Sequence, residues 1–128
     1  MAKQFTLGKN ERLKSRKSIE QLFSEGKRFV ATPYKILYVF APADESALLF
    51  GTGVSAKAFK KAVDRNRIKR LTREAYRLQK KELQEKLKVG NIRMNVFFIY
   101  TGKELPQYSD VYSKVGTVLK KLEKLIQQ

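Results

Sequence analysis

A dense run of basic residues between positions 57 and 73 contains the side chains best suited to bind a polyanion. The run reads KAFKKAVDRNRIKRLTR and includes one acidic residue, Asp64. Its eight basic residues are Lys57, Lys60, Lys61, Arg65, Arg67, Lys69, Arg70 and Arg73. Ammonium and guanidinium groups bind phosphate through charge and hydrogen bonds, and Arg can do so in a bidentate manner. The chemistry that this segment predicts is therefore phosphate recognition.

The apolar residues of the same region are spaced as in a helix. Four of them recur at intervals of three, four and three residues, namely Ile68, Leu71, Ala75 and Leu78. This spacing places them in one stripe, which we expect to be buried. The other side is expected to be exposed and to carry Arg65, Asn66, Lys69, Arg70, Arg73, Tyr76, Arg77 and Lys80. Arg67 falls beside the apolar stripe and near Glu74, so it could brace the helix against the sheet, pair with Glu74 or contact a ligand.

The overall composition favours a nucleic-acid partner. The chain has 128 residues, a formal net charge of +16 and a sequence pI near 10.2. Such a chain repels itself unless a polyanion or counterions neutralise it. An anionic membrane would also attract it, but the apolar stripe is narrow for interfacial insertion and the N-terminus has no apolar signal region. We expect no membrane association and a cytoplasmic location.

The side chains that most hydrolases use are missing from the sequence. There is no Cys and no His, which excludes disulfides and a Cys nucleophile and removes the usual zinc ligands and proton carriers. A protein-only nuclease would need clustered carboxylates to hold metal ions. The acids Asp44, Glu45, Asp64, Glu74 and Asp110 are instead spread along the chain. We expect neither catalytic residues nor a set of metal ligands.

A single domain over residues 1–128 is expected, beginning with an arm and a short helix. The arm covers residues 1–14, is basic and extended, and could be fixed to the body by Phe5, Leu7 and Leu13. The helix is predicted over about residues 15–25, with Ser15 or Ser18 as its N-cap. Gly26 then stands where a left-handed C-terminal residue is expected.

Strands are predicted between this helix and the basic helix. Residues 28–41 are rich in β-branched and aromatic side chains, with Pro33 among them, and predict one bent strand or two short ones. Residues 46–55 read as the next strand of an antiparallel pair. Gly51 and Gly53 lie two residues apart and therefore face the same side, where they leave room for a close neighbour or a ligand.

The second half of the chain predicts helix, strand and helix. The basic helix is expected to begin between positions 60 and 65 and to continue to about position 87. Residues 92–101 form the strongest predicted strand, which we expect to be central in the sheet. The last helix has a stripe of apolar residues, Tyr112, Val115, Leu119, Leu122 and Ile126, which Val111, Val118 and Leu125 widen.

This order of elements, together with RNRIKRLTREAYR at 65–77, resembles the protein subunit of bacterial ribonuclease P. The resemblance runs from RLKSRKSIEQLF through LLFGTGVSAKAF to the last helix, and Arg65, Asn66 and Arg67 match the family's signature. It implies an α+β two-layer sandwich in the order α-β-β-β-α-β-α, with a small mixed sheet and an uncommon left-handed βαβ crossover. It also implies a protein that binds a catalytic RNA and precursor tRNA, while the RNA removes the 5′ leader.

The resemblance assigns residues to two surfaces. The basic helix would face the catalytic RNA through Lys57, Lys60, Lys61, Arg65, Asn66, Arg67, Lys69, Arg70 and Arg73. A cleft between the first helix and the sheet would hold the leader, lined by Ile19, Phe23, Tyr34 and Tyr38. Aromatic rings stack on unpaired bases with little dependence on sequence, whereas Ile19 departs from the aromatic residue often found there. Core packing is the alternative role for the three aromatic residues. Four further aromatic residues are assigned to the core, Phe50, Phe97, Phe98 and Tyr100.

The same resemblance implies which partners and ions are needed. No cofactor would be held by protein ligands, Mg²⁺ would act through the RNA, and no protein partner would be required. One rival hypothesis is a general RNA-binding or ribosomal protein without a role in tRNA processing. Another is a DNA-binding protein that places the basic helix in the major groove. Such a protein usually shows two short helices joined by a turn, or half-site symmetry, and the sequence indicates neither.

Overall fold

The structure is a computed structural model that describes residues 11–42 and 47–126. In this part of the chain it contains four helices and a four-stranded sheet. In chain order these are α1 (Arg16–Glu25), β1 (Lys27–Ala31), β2 (Tyr34–Pro42), β3 (Ala47–Val54), α2 (Ala62–Gln79), α3 (Lys81–Gly90), β4 (Ile92–Tyr100) and α4 (Tyr108–Ile126). The predicted α+β class is confirmed.

The strand β4 lies inside the sheet, as its run of apolar residues predicts. The strand order is β1-β2-β4-β3, with β2 antiparallel to both β1 and β4 and with β3 parallel to β4. The prediction that residues 46–55 pair in antiparallel fashion with the preceding strand is wrong, because β4 is inserted between β2 and β3. A parallel pair requires a crossover connection, which α2 and α3 provide. The left-handed sense of this crossover stays a prediction.

The first helix and the hairpin that follows it form close to the predicted positions. The Ser15 side chain accepts a hydrogen bond from the Ser18 backbone N–H at 3.3 Å and caps α1. Residues 28–41 form two antiparallel strands, which confirms the second of the two alternatives. Gly26 is extended, with φ −67° and ψ 151°, so the left-handed conformation predicted for it is wrong. A Cβ at Gly26 would lie 2.4 Å from the Leu22 carbonyl oxygen, which explains why glycine fits there.

The basic helix is shorter than predicted, because α2 ends at Gln79 and α3 begins at Lys81. The break lets α3 contact both β3 and β4. Lys80 lies at the break and is 2% exposed, with its Nζ 2.5 Å from Glu11 Oε1. The predictions of a continuous helix and of an exposed Lys80 are therefore wrong.

The two faces of the sheet are covered unequally. The helices α2, α3 and α4 pack on one face and form the main core with strand residues that include Tyr34, Ile36, Tyr38, Phe50 and Phe98. The other face carries a smaller cluster of Leu13, Leu22 and Leu37, flanked by Ile19, Val39, Leu49, Phe97 and Ile99. Alternation along each strand sends neighbouring side chains to opposite faces. The predicted sandwich is thus confirmed, and α1 covers part of its second face.

The last helix completes the main core. Val115, Leu119 and Leu122 are buried, as their spacing predicts, and α4 contacts both α2 and α3. Tyr112 is 41% exposed, so its assignment to the buried stripe is wrong. Val111 and Val118, which widen the predicted stripe, are buried as expected and fill the positions beside Tyr112.

Candidate nucleic-acid interface

The exposed side of α2 and the segment before it carry most of the predicted phosphate-binding residues. The exposed ones are Lys57, Lys60, Lys61, Asn66, Arg67, Arg70 and Arg73, and Lys69 is half-buried. Glu74 pairs with Arg77, one turn along the same helix, rather than with Arg67. Arg67 is exposed, and its contact with a ligand stays a prediction.

Arg65 has a structural role at the start of α2. Its Nη1 donates hydrogen bonds to the carbonyl oxygens of Phe59 and Lys60, at 2.7 and 2.9 Å. Phe59 is itself buried, so the guanidinium fixes the segment that displays the three lysines to the start of the helix. Arg65 is only half-buried, and its contact with RNA stays a prediction.

The buried side of α2 is rotated relative to the prediction. Ile68 and Ala75 are buried and Leu71 is half-buried, but Leu78 is 38% exposed. Thr72 and Tyr76, which are polar and were not in the predicted stripe, are fully buried on this side of α2. The predicted stripe is therefore correct at its start and wrong at its end.

Tyr76 is a core residue, although the helical spacing placed it on the exposed side. Its ring stacks on that of Phe50 in β3, with centroids 3.9 Å apart and planes 10° apart. Burial raises the pKa of Tyr76 well above the ordinary value of 10. The ring fixes α2 to the sheet and so sets which residues of the helix face outwards.

A groove of about 420 Å³ lies between α1, the segment that precedes α1, and the β3 edge of the sheet. Its lining residues are Arg12, Leu13, Lys14, Ile19, Phe50, Gly51, Thr52, Arg73 and Phe97. Three of them are exposed cations that come from two distant parts of the chain, Arg12, Lys14 and Arg73. Arg73 also belongs to the exposed side of α2, so the groove and the basic helix are adjacent.

Phe97 contributes an aromatic ring to this groove. A Cβ at Gly51 would lie 2.7 Å from Phe97 Cδ2, and one at Gly53 would lie 3.2 Å from Cε1. The two glycines therefore leave the space that the ring occupies. Phe23 of α1 meets the ring edge-on, with centroids 5.4 Å apart. The sequence pattern assigned Phe97 to the core and missed its place in the groove, although the Gly51 and Gly53 pair was the signal for a close neighbour.

Tyr34 and Tyr38 lie on the opposite face of the sheet, so their predicted place in the cleft beside α1 is wrong. Tyr34 is fully buried, and its hydroxyl lies 2.7 Å from Thr72 Oγ1. Burial raises the pKa of Tyr34 to about 12. Tyr38 is 8% exposed and its ring packs 5.9 Å from that of Phe29. Strand alternation places Leu37, rather than either tyrosine, beneath α1.

The other two predicted cleft residues, Ile19 and Phe23, lie on α1 and pack toward the same face of the sheet as the groove. Ile19 lines the groove, and Phe23 stands beside Phe97 with 45% of its surface exposed. Their contact with a leader stays a prediction. Leu13 is buried and fixes the end of the predicted arm, whereas Phe5 and Leu7 lie outside the described residues.

Two negative findings apply to residues 11–42 and 47–126 only. Within these ranges no helix is both long enough and apolar enough to cross a membrane. The same ranges contain no group of three or more acidic side chains arranged to hold a metal ion.

The fold and this cationic surface define a small, basic α+β sandwich protein of the kind that binds nucleic acid. Residues 7–123 match the sequence profile of the Ribonuclease P family, and the chain belongs to that family. It therefore acts in tRNA 5′ processing as a protein component of ribonuclease P, together with the RNA subunit and the tRNA substrate. A general RNA-binding or ribosomal role is not favoured.

Individual relatives and solved structures agree with this assignment. The Ribonuclease P protein component of Porphyromonas gingivalis is 41% identical over 110 residues, which cover 84% of this chain and 79% of that protein. The Ribonuclease P protein component of Chlorobaculum tepidum is 31% identical over 128 residues, which cover 91% of this chain and 82% of that protein. The RNase P protein of Thermotoga maritima superposes with a TM-score of 0.66 at 28% identity, covering 87% of this chain and 96% of that one. The Staphylococcus aureus RNase P protein shares the fold, with a TM-score of 0.66 at 20% identity and with 88% and 95% covered.

Proposed function

We propose that the chain uses two adjacent surfaces within ribonuclease P. The exposed side of α2 binds the catalytic RNA, and the groove beside α1 binds the single-stranded 5′ leader of precursor tRNA. The observation that carries this proposal is the groove itself, in which the Phe97 ring lies among Arg12, Lys14 and Arg73. Aromatic rings combined with a cationic path are the means by which proteins hold single strands.

The α2 surface suits a folded RNA. A rigid helix presents Asn66, Arg67 and Arg70 on one exposed side, while Ile68 and Tyr76 fix its other side to the sheet. Guanidinium groups bind phosphate oxygens in bidentate fashion, and each phosphate that they neutralise releases counterions. Binding through this surface therefore depends on salt concentration.

The groove suits an unpaired strand of any sequence. A base can stack on the exposed part of Phe97 or Phe23, because every base has a π face. Arg12 and Arg73 line the same groove, and in this proposal they bind phosphates of the strand. Mature tRNA has no leader, so occupancy of the groove makes the precursor bind more tightly than the product.

The chemistry of cleavage belongs to the RNA in this proposal. The sequence has no Cys and no His, and Mg²⁺ ions held by RNA phosphates would stabilise the charge that develops during cleavage. The protein acts in the cytoplasm, and its contribution is to position the two RNAs relative to each other.

The role of α2 can be tested with a matched pair of double variants. Arg67→Ala/Arg70→Ala removes two exposed charges from the α2 surface, and Lys120→Ala/Lys124→Ala removes two exposed charges from α4. We expect the α2 variant to bind the catalytic RNA more weakly. The slope of log affinity against log salt concentration should also become smaller by about one for each phosphate that the helix no longer binds. The α4 variant should bind like the wild type.

The measurement is a binding titration with the catalytic RNA over a series of salt concentrations. Equal affinities and equal salt slopes for the two variants would contradict the role assigned to α2. An unrelated structured RNA of similar length serves as a second ligand. An equal loss for both RNAs would favour the rival hypothesis of general RNA binding.

A further inference from the structure

One wall of the groove is a short segment, residues 12–14, which lies along the edge of β3. Arg12 is bridged to Phe50 in parallel fashion, and the Leu13 backbone N–H donates to the Phe50 carbonyl oxygen at 2.9 Å. Leu13 is 7% exposed and packs into the smaller core cluster. Because side chains alternate along an extended chain, Arg12 and Lys14 both point away from this core. Both are exposed, and both line the groove.

The segment is fastened at Glu11 by two side chains from the junction of α2 and α3. Glu11 Oε1 accepts a hydrogen bond from Lys80 Nζ at 2.5 Å and another from Gln84 Nε2 at 2.8 Å. The Lys80 side chain is 2% exposed and that of Glu11 is 24% exposed. We call these three residues, Glu11, Lys80 and Gln84, the latch.

Burying the charged Lys80 side chain in the latch costs free energy, and this cost suggests that the latch has a role other than stabilising the fold. A buried ammonium group is strongly destabilising unless a carboxylate pairs with it. Lys80 lies directly after the end of α2 at Gln79, between the two helices. A well-packed apolar residue would often stabilise such a site as well or better. The ion pair instead fixes the position of Glu11 and the direction in which the backbone continues. Arg12 and Lys14 come directly after Glu11, so their positions are fixed as well.

We propose that the latch positions Arg12 and Lys14 to bind phosphates of the leader, so that Glu11, Lys80 and Gln84 are positioning residues for substrate binding. The inference rests on the proposed function of the groove. Arg73 stands on the same groove but belongs to α2. The leader phosphates would then pass between cations from two separate elements, and the latch ties one of these elements to the end of the other.

The consequence is a loss of affinity that depends on the leader. An exposed charge pair contributes a factor of about 1.4 to 5 in affinity, so a protein in which neither Arg12 nor Lys14 reaches a phosphate should bind the precursor about 2- to 30-fold more weakly. The slope of log affinity against log salt concentration should become smaller by about 0.7 for each phosphate of the single strand that the protein no longer neutralises. Mature tRNA and the catalytic RNA do not occupy the groove, so their affinities should stay unchanged.

The test uses ribonuclease P reconstituted from the full chain and the catalytic RNA. Three variants are compared with the wild type, namely Glu11→Gln, Glu11→Ala/Lys80→Met and Arg12→Ala/Lys14→Ala. The second variant removes both members of the ion pair, so neither charge is left buried without the other, and urea denaturation checks that the variant is folded. Dissociation constants are measured for a precursor tRNA with a long leader and for mature tRNA, each over a salt series.

We expect Glu11→Ala/Lys80→Met to lose precursor affinity and salt slope by the same amounts as Arg12→Ala/Lys14→Ala, with mature tRNA unaffected. Glu11→Gln keeps a hydrogen-bond acceptor and should retain part of the affinity. Precursor binding at the wild-type level in the Glu11→Ala/Lys80→Met variant would overturn the proposal. So would an equal loss for both tRNAs, because a purely structural role does not distinguish them.

A parallel Phe97→Leu variant separates this inference from the function on which it rests. If Phe97→Leu weakens precursor binding while the latch variants do not, the groove binds the leader and the latch proposal is wrong. If neither Phe97→Leu nor the latch variants affect precursor binding, the assignment of the groove itself is wrong.

Discussion

Replacing Phe97 with leucine tests the groove at the ring that lies in it. The ring is half-buried above Gly51 and Gly53 and meets Phe23 with centroids 5.4 Å apart. Leucine keeps an apolar side chain at this place but removes the flat π surface. The change therefore acts on stacking with a base more than on the packing of the fold.

The size of the effect follows from the energy of stacking. Removing a base–aromatic stack costs about 1–3 kcal/mol, and leucine retains part of the apolar contact. We expect a loss of about 1–2 kcal/mol in precursor binding, which corresponds to about 5- to 30-fold. Mature tRNA should lose nothing, because it has no leader to place on the ring.

Phe98 offers a matched control one residue away. It is fully buried on the opposite face, where its ring meets those of Tyr34 and Phe50. Phe98→Leu should lower the free energy of unfolding by about 1–3 kcal/mol through imperfect packing and should leave the ratio of precursor to mature tRNA affinity unchanged. Binding and urea denaturation are measured for both variants. A Phe97→Leu protein that binds both tRNAs like the wild type, or loses affinity for both equally, would refute a leader-binding role for this ring.

Two further predictions concern stability. Gly51→Ala should lower the free energy of unfolding by about 1–3 kcal/mol, because the new Cβ would lie 2.7 Å from the Phe97 ring, and Gly53→Ala should cost less, because the distance there is 3.2 Å. Urea denaturation of both variants checks the order, and a larger cost at Gly53 would contradict it. Tyr34→Phe should lower the free energy of unfolding by about 1 kcal/mol near pH 8, because the variant lacks the hydrogen bond to Thr72. An unfolded tyrosine has a pKa near 10, whereas Tyr34 in the folded protein has a pKa of about 12. As the pH rises from 10 to 12, ionisation therefore favours the unfolded wild type and lowers its free energy of unfolding by up to about 2.7 kcal/mol. The phenylalanine variant has no such group, so its deficit relative to the wild type should shrink and then reverse in this range. A deficit that stays constant from pH 9 to 12 would contradict the assigned pKa.

Local patterns predicted the elements well. The Ser15 cap, the helix over residues 15–25 and the central strand over residues 92–101 follow from short stretches of sequence, and the structure has all three. The partner of β3 was not predictable in the same way. Its pairing with β4 joins residues more than 40 positions apart, and no local pattern shows that β4 inserts between β2 and β3.

The details of burial depended on tertiary packing. Alternation correctly divides residues 34–40 into two faces, but it does not reveal which face α1 covers, and so Tyr34 and Tyr38 were placed in the wrong layer. The break at Lys80 has no Gly or Pro to indicate it, and the partner of Lys80 there is Glu11, a residue 69 positions away. The burial of Tyr76 has the same kind of cause, since its partner Phe50 lies on a different element.

The candidate site was predictable in part. The basic residues of α2 follow from composition and spacing, and all but Arg65, Lys69 and Arg77 are exposed. Arg12 and Lys14 were missed as groove residues, because their place depends on the contact of Leu13 with the edge of β3. Phe97 was missed because a run such as NVFFIY reads as uniformly buried, although alternate side chains of β4 reach different faces.

The central claim is that α2 contacts the catalytic RNA while the groove contacts the leader, and photo-crosslinking tests it most directly. A photo-reactive phenylalanine derivative replaces Phe97 in one protein and Arg70 in another, and each is reconstituted with the catalytic RNA and precursor tRNA. We expect the group at position 97 to crosslink to leader nucleotides and the group at position 70 to crosslink to the catalytic RNA. Crosslinks from position 97 to the catalytic RNA alone, or from position 70 to the leader alone, would contradict the assignment of the two surfaces.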